Sequence, residues 1–176
     1  MTVEQRKSVI KQLNGRTQML AFEAAKAVWN DPDVELERPL IDTLKNGKRV
    51  FNRTAAAFAM QMLLTIRTVS ALERTLSNKS EHARVRAEAA ESLAHNHGKR
   101  SHRILMENLD DSSKDVRFWC AFSLGQMGER RAIAALRRIA ATDQRRLKGF
   151  HSVAKEAENS IEEILKRSER CLFCRI

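Results

Sequence analysis

The chain has 176 residues, of which 43% are hydrophobic and 31% are charged, so it is long enough for one compact domain or a short array of repeats. It contains only six glycines and two prolines, which excludes collagen-like and low-complexity proteins and leaves little turn chemistry for a β-rich fold. The formal net charge of +10 comes from 32 basic and 22 acidic residues. It favours acidic partners without naming one.

Apolar residues recur at helical spacing along most of the chain. The pattern predicts a single domain over residues 1–168 and a flexible tail over residues 169–176. Within the domain it predicts a capping helix, four helical hairpins and a C-terminal helix, at residues 3–13, near 16–47, 50–80, 84–112 and 115–142, and at 150–166. No apolar run reaches the length of a signal-peptide core or a membrane span, so we expect a cytoplasmic protein without a membrane segment.

The repeat becomes visible when the chain is aligned with itself. Three pairs of segments carry the same pattern, at shifts of 31, 64 and 65 residues: 85–94 with 116–125, 68–76 with 132–140, and 38–44 with 103–109. Residues that interrupt helices separate these segments, as at Asn46-Gly47 and Gly128. Each repeat is therefore predicted to contain a first and a second helix.

One stretch of the chain resembles a known family of repeats. It resembles the short HEAT-like repeats also called phycobilisome-lyase-type repeats, on the strength of Asp115-Val116-Arg117, Leu124-Gly125 and residues 128–136. The resemblance is specific over residues 84–141 and weaker outside them. It implies an all-α fold, a right-handed α-solenoid of about five HEAT-like helical hairpins forming an armadillo-like superhelix. First helices would form its convex layer and second helices would line its concave face.

An arginine recurs near the start of several first helices. These are Arg53, Arg86 and Arg117, the last of them preceded by Asp115. The planar guanidinium suits hydrogen bonds to an acid or to helix-end carbonyls of a neighbouring repeat. We therefore interpret these four residues as a structural ladder. Trp29 and Trp119 are predicted to pack within first helices.

The second helices carry the candidate binding residues. Residues 99–148 hold twelve Lys and Arg against six Asp and Glu, which is more than half of the chain's basic excess. The predicted concave binding face consists of the arginines on second helices and on the loop after the last of them, Arg67, Arg74, Arg100, Arg103, Arg131, Arg138, Arg145 and Arg146.

The chemistry-bearing residues do not form a known catalytic motif. His95, His97 and His102 lie close together in sequence, and a Cys-x-x-Cys pair closes the chain at Cys171 and Cys174. A zinc site needs about four ligands in a folded context, which this spacing does not provide. Cys120 lies among apolar residues and is predicted to be a core residue. We predict no metal and no other cofactor.

The sequence thus favours a non-catalytic scaffold or adaptor that binds an acidic protein segment in an arginine-rich groove. The alternative is binding of a nucleic-acid backbone by the same basic face. A second alternative, by analogy with the family, is a bilin lyase-like or other enzyme accessory role. The predicted protein is a monomer or a weak homo-oligomer.

Overall fold

The computed structural model describes residues 1–96 and 98–173, with side chains as far as residue 168. Regular structure in these ranges is helical, and backbone pairing between extended segments is limited to an isolated bridge from Arg146 to Ser152. The prediction of an all-α fold is therefore confirmed. His97 and Cys174 lie outside the described residues.

The helices follow the predicted order closely. They are α1 Val3–Leu13, α2 Gln18–Asn30, α3 Glu37–Asn46, α4 Val50–Ala59, α5 Ile66–Ser77, α6 Ala83–Ser92, α7 Lys99–Glu107, α8 Lys114–Met127, α9 Ile133–Thr142 and α10 Val153–Phe173. Short 3-10 turns occur at Val34–Leu36, Met60–Met62 and Arg130–Ala132. The last helix begins at Val153 rather than at residue 150. It continues past residue 166 because no glycine or proline interrupts it there.

Local side-chain chemistry sets several of these helix ends. Thr2 and Thr65 precede α1 and α5, and each accepts a hydrogen bond from the backbone N–H three residues later in a capping box. Gly128 ends α8 with a φ of 71°, a left-handed conformation that glycine adopts without strain. These residues place the starts and stops that the apolar pattern alone leaves uncertain by a residue or two.

The chain divides into two compact units, of which the first is Met1–Ser92 and the second begins at Leu93. In the first unit, α2, α4 and α6 pack side by side, while α3 packs on α4 and α5 packs on α6. The fully buried residues of this unit include three leucines of the second helices α3 and α5, Leu40, Leu72 and Leu76, and Leu36 in the 3-10 turn before α3. Alanines at 55–57 are also fully buried, and their small side chains allow close approach of the first helices.

The second unit repeats this packing. Here α10 packs on α8 and α9, and α7 packs on α8. Its core contains Phe118, Leu105, Leu124 and Leu136, each at most 1% exposed. A side chain at Gly125 of α8 would place its Cβ 2.8 Å from the Ser160 side chain of α10, so the two helices meet at this glycine.

Candidate functional site

Arg53 links two loops of the first unit. Its Nε and Nη2 both donate to the Glu81 carboxylate at 2.9 Å, and its Nη1 donates to the Gly47 carbonyl at 2.8 Å. Gly47 follows α3 and Glu81 precedes α6, so one guanidinium joins the ends of successive repeats. The neighbouring Arg86 is 4% exposed and donates through Nε to the Glu81 carbonyl at 3.1 Å.

Arg117 has the corresponding position in the second unit. Its Nε donates to Asp143 at 2.7 Å, and its Nη1 donates to the carbonyls of Asp111 and Ser112. Burial raises the pKa of Asp143, but hydrogen bonds from Arg145 and Arg117 outweigh it and leave that pKa below its usual value. Asp115 is half-buried in the first turn of α8. The carboxylate there complements the helix dipole.

Several arginines of the predicted binding face lie beside an acid. The shortest N–O distances are 3.3 Å for Arg67 and Glu37, 3.8 Å for Arg103 and Glu107, 2.7 Å for Arg138 and Asp110, and 2.8 Å for Arg145 and Asp143. Exposed pairs of this kind add little stability. The acids of these pairs nevertheless cancel much of the positive charge that the sequence alone predicts for the concave binding face.

The second unit contains a cleft of about 860 Å³ between α7 and the turn that precedes α9, which we call the α7–α9 cleft. Its lining consists of Lys99, His102, Arg103, Met106, Glu107, Glu129 and Arg131. The five residues from α7 are spaced i, i+3, i+4, i+7 and i+8, so they share one helix face. The structure thus brings together two predicted residues, Arg103 and Arg131, and adds Lys99, which the sequence pattern did not single out.

The acids of the α7–α9 cleft are already engaged. One oxygen of Glu129 lies 2.7 Å from Nδ1 of His102, and the other accepts the backbone N–H of Arg131 at 3.0 Å. Glu107 lies beside Arg103. In the described part of the chain, no acid lies within 4 Å of the charged groups of Lys99 or Arg131. The cleft therefore keeps two cations available to a ligand.

Other predicted residues are distributed more widely. Arg74 lines a smaller cleft between α3 and α5 in the first unit, and Arg138 and Arg145 line a cleft of about 500 Å³ in the second. Arg67, Arg100 and Arg146 are exposed and lie outside these three clefts. The arginines of the predicted concave binding face thus lie in or near separate clefts of different charge, and each cleft lies within one unit.

The histidines and cysteines do not assemble a metal centre in the described residues, which hold no cluster of three or more metal-ligating side chains. His102 pairs with Glu129, and Nε2 of His151 lies 2.7 Å from Glu156. Cys120 is fully buried in α8, as predicted. The side chains of Cys171 and Cys174 lie outside the described part of the structure.

The tryptophans pack against phenylalanines. Trp29 stacks on Phe58 with ring centroids 5.3 Å apart, and it is 37% exposed. Trp119 meets Phe118, Phe122 and Phe150 edge to face at 5.1 to 5.4 Å. Packing therefore accounts for both residues.

Among the described helices, none combines the length and the apolar character needed to cross a membrane.

A comparison with protein families finds that residues 69–149 match the model of HEAT repeats. The match covers most of α5, all of α6 to α9 and the loop that follows, which is the region where the internal repeat is strongest. A comparison with curated proteins finds no significant match. The family match and the paired helices together support a HEAT-like repeat protein of the all-α solenoid class.

Proposed function

We propose that the protein is a non-catalytic interaction scaffold that binds an acidic protein segment through the α7–α9 cleft. HEAT repeats commonly act as protein-interaction scaffolds, and the repeats here include this cleft. The observation that carries the proposal is the pair of cations, Lys99 and Arg131, that face the cleft without an acid beside them. An acidic segment would supply the missing carboxylates.

The shape of the cleft supports a peptide rather than a single ion. A volume of about 860 Å³ holds several side chains. Met106 adds an apolar, adaptable contact beside the charged residues. A segment that alternates acidic and aliphatic side chains would therefore match both the charge and the apolar part of the lining.

Burial separates the binding arginines from the structural ones. Arg86 and Arg117 are 4% and 6% exposed, and Arg53 is held by Glu81 and Gly47. We assign these three residues, with Asp115, to the stability of the repeat stack. The exposed Arg103 and Arg131, in contrast, are assigned to binding.

The test compares two double variants that remove the same charge. Lys99→Gln with Arg131→Gln deletes the two unpaired cations, whereas Arg67→Gln with Arg138→Gln deletes two cations that already contact acids. Fluorescence anisotropy measures the affinity for a labelled peptide that alternates Glu and Leu. We expect about tenfold weaker binding for the first variant, since the two lost charged contacts together cost roughly 1.4 kcal/mol, and a change within about twofold for the second. Equal losses in both variants would show attraction by net charge alone and would overturn the assignment of the cleft.

Acids among the basic residues favour a peptide over a nucleic acid. Glu107 lines the α7–α9 cleft and Asp110 contacts Arg138, so a continuous row of phosphates would meet carboxylates as well as cations. Titration with duplex DNA at two salt concentrations tests this alternative. Tight DNA binding with a steep salt dependence, and no peptide binding, would replace the present proposal. The bilin lyase-like role has only the likeness of residues 115–136 to phycobilisome-lyase-type repeats behind it.

A further inference from the structure

Two clefts at equivalent positions in the two units differ in charge. The first lies between α3 and α5 and is lined by Ile41, Leu44, Lys45, Ala71, Arg74, Thr75, Asn78 and Glu81; we call it the α3–α5 cleft. The second is lined by Leu109, Asp110, Arg138, Ile139 and Thr142, among others; we call it the Asp110 cleft, and it is separate from the α7–α9 cleft. The alignment of the repeats at shifts of 64 and 65 residues places Arg74 over Arg138 and Lys45 over Asp110.

In the Asp110 cleft, carboxylates of the lining neutralise the arginines. Nη2 of Arg138 donates to both carboxylate oxygens of Asp110, at 2.8 and 2.7 Å. Asp143 in the same lining accepts from Arg117 and Arg145. Each of these cations has a carboxylate within hydrogen-bond distance, so this cleft does not need an external anion.

The α3–α5 cleft lacks this compensation. Lys45 stands where the second unit has Asp110, and no acid of the described residues lies within 4 Å of the charged groups of Lys45 or Arg74. Glu81 is the acid of the lining, but both its oxygens bind Arg53, and one also accepts the backbone N–H of His82. Two exposed cations therefore share one cleft without a counter-charge, which favours an anion between them.

Neutral donors complete the α3–α5 cleft. The carbonyl oxygen of the Asn78 side chain accepts hydrogen bonds from the backbone and hydroxyl of Ser80, at 3.2 and 2.7 Å. The Asn78 amide nitrogen is consequently left to donate, and the Thr75 hydroxyl lies in the same lining. With a volume of about 250 Å³, the cleft fits one side chain better than a cofactor.

We propose that the α3–α5 cleft binds the oxyanion of a single partner side chain, a carboxylate or a phosphate, presented on a peptide. Arg74 and Lys45 supply charge-assisted hydrogen bonds to the oxyanion, and Asn78 and Thr75 supply neutral ones. Ile41, Leu44 and Ala71 contact the aliphatic part of the side chain. This site lies in the first unit and does not depend on the α7–α9 cleft proposed above.

The decisive experiment follows the Arg74 side chain of the full ¹⁵N-labelled chain by NMR. The probes are inorganic phosphate and three peptides of one sequence whose central residue is phosphoserine, Glu or Ser. We expect saturable shifts of the Arg74 Nε–Hε signal with phosphate and with at least one anionic peptide, and none with the Ser peptide. The tighter of the two anionic peptides identifies the source of the oxyanion. Absence of a saturable shift with both anionic peptides would overturn the proposal, even if phosphate alone binds.

Substitutions that exchange the side-chain charges at the equivalent positions 45 and 110 provide the matched variants. Lys45→Asp recreates the pairing of Asp110 with Arg138 and is expected to weaken anion binding at least tenfold. Lys26→Asp makes the same charge change at an exposed lysine of α2 and is expected to leave binding unchanged. Anion binding by Lys45→Asp equal to that of the parent chain would contradict the proposal. Lys45→Gln gives a second, milder variant, which removes one charge, keeps Arg74 as the reporter and is expected to weaken anion binding less than Lys45→Asp does.

The reciprocal change Asp110→Lys extends the test to the second unit. It is expected to create a new saturable response at Arg138, because it removes the carboxylate that now pairs with this arginine. The variant that combines Lys99→Gln with Arg131→Gln should keep the phosphate response at Arg74. Failure of this site is thereby distinguished from failure of the α7–α9 cleft.

Discussion

Glu88 on α6 makes the stability of the protein depend on pH in an unusual direction. Its Oε1 is buried and has no hydrogen-bond partner in the described part of the chain. Burial, together with the nearby charge of Glu91, raises the pKa of Glu88 from 4.5 to about 8. Burial likewise raises the pKa of Glu91 to about 7. At neutral pH the folded chain therefore holds a proton on Glu88 that the unfolded chain has released.

The sign and size of the effect follow from linkage between folding and protonation. A carboxyl group whose pKa is higher in the folded state stabilises the fold fully below about pH 4.5 and loses that contribution as the pH rises through about 8. The shift of Glu88 corresponds to a free energy on the order of 5 kcal/mol. We therefore expect the free energy of unfolding to fall by a few kcal/mol between about pH 5 and about pH 8.5.

Urea unfolding followed by circular dichroism, at several pH values in this window, provides the assay. Glu88→Gln removes the titrating group, so it should stabilise the protein above about pH 8 and change little near pH 5. A smaller decrease in stability, mainly between about pH 4.5 and pH 7, should remain because of Glu91. Glu88→Ala is a second variant, since alanine stands at the equivalent position 55 of α4. A parent chain whose stability is flat or rises across the window, with both variants parallel to it, would show that Glu88 does not control the pH dependence.

Two further predictions concern the helix contacts. Arg117→Met leaves the buried Asp143 with only the exposed Arg145 as an ionic partner and should lower the free energy of unfolding by about 3 kcal/mol, whereas Lys114→Met on the same helix should cost under about 1 kcal/mol. Equal losses in the two variants, measured by urea unfolding, would exclude a special role for the buried pair. Gly125→Ala places a methyl group 2.8 Å from Ser160 and should cost about 1 to 3 kcal/mol, with partial rescue by Ser160→Gly. An unchanged melting temperature would show that α8 and α10 adjust freely.

The helix pattern was largely readable from the sequence, because apolar spacing and capping residues are local properties. The predicted helix at residues 3–13 coincides with α1, which the Thr2 capping box begins. The second helices likewise fall where residues 38–44 and 68–76 repeat later in the chain. The helix α10 continues beyond the predicted end at residue 166, since a polar sequence without glycine or proline gives no clear stop.

The charge balance of the candidate sites was not readable from the sequence. Whether an arginine is open to a ligand depends on acids that folding brings beside it from another helix. Asp110 reaches Arg138 across 28 residues, and Glu37 reaches Arg67 across 30. Lys99 and Lys45 become candidate binding residues for the opposite reason: in the described part of the structure, neither lysine has an acid near its charged group. Counting charges along the chain gives the excess of basic residues, but it does not show which of them lack a neighbouring acid in the folded protein.

The central claim is that unpaired cations, rather than net charge, make the α7–α9 cleft a binding site. The most direct measurement is the ratio of peptide dissociation constants for the two charge-matched double variants, Lys99→Gln with Arg131→Gln and Arg67→Gln with Arg138→Gln. A ratio of about five or more, with weaker binding by the first variant, is the predicted result. A ratio near one would show that net charge, and not the two unpaired cations, attracts the peptide.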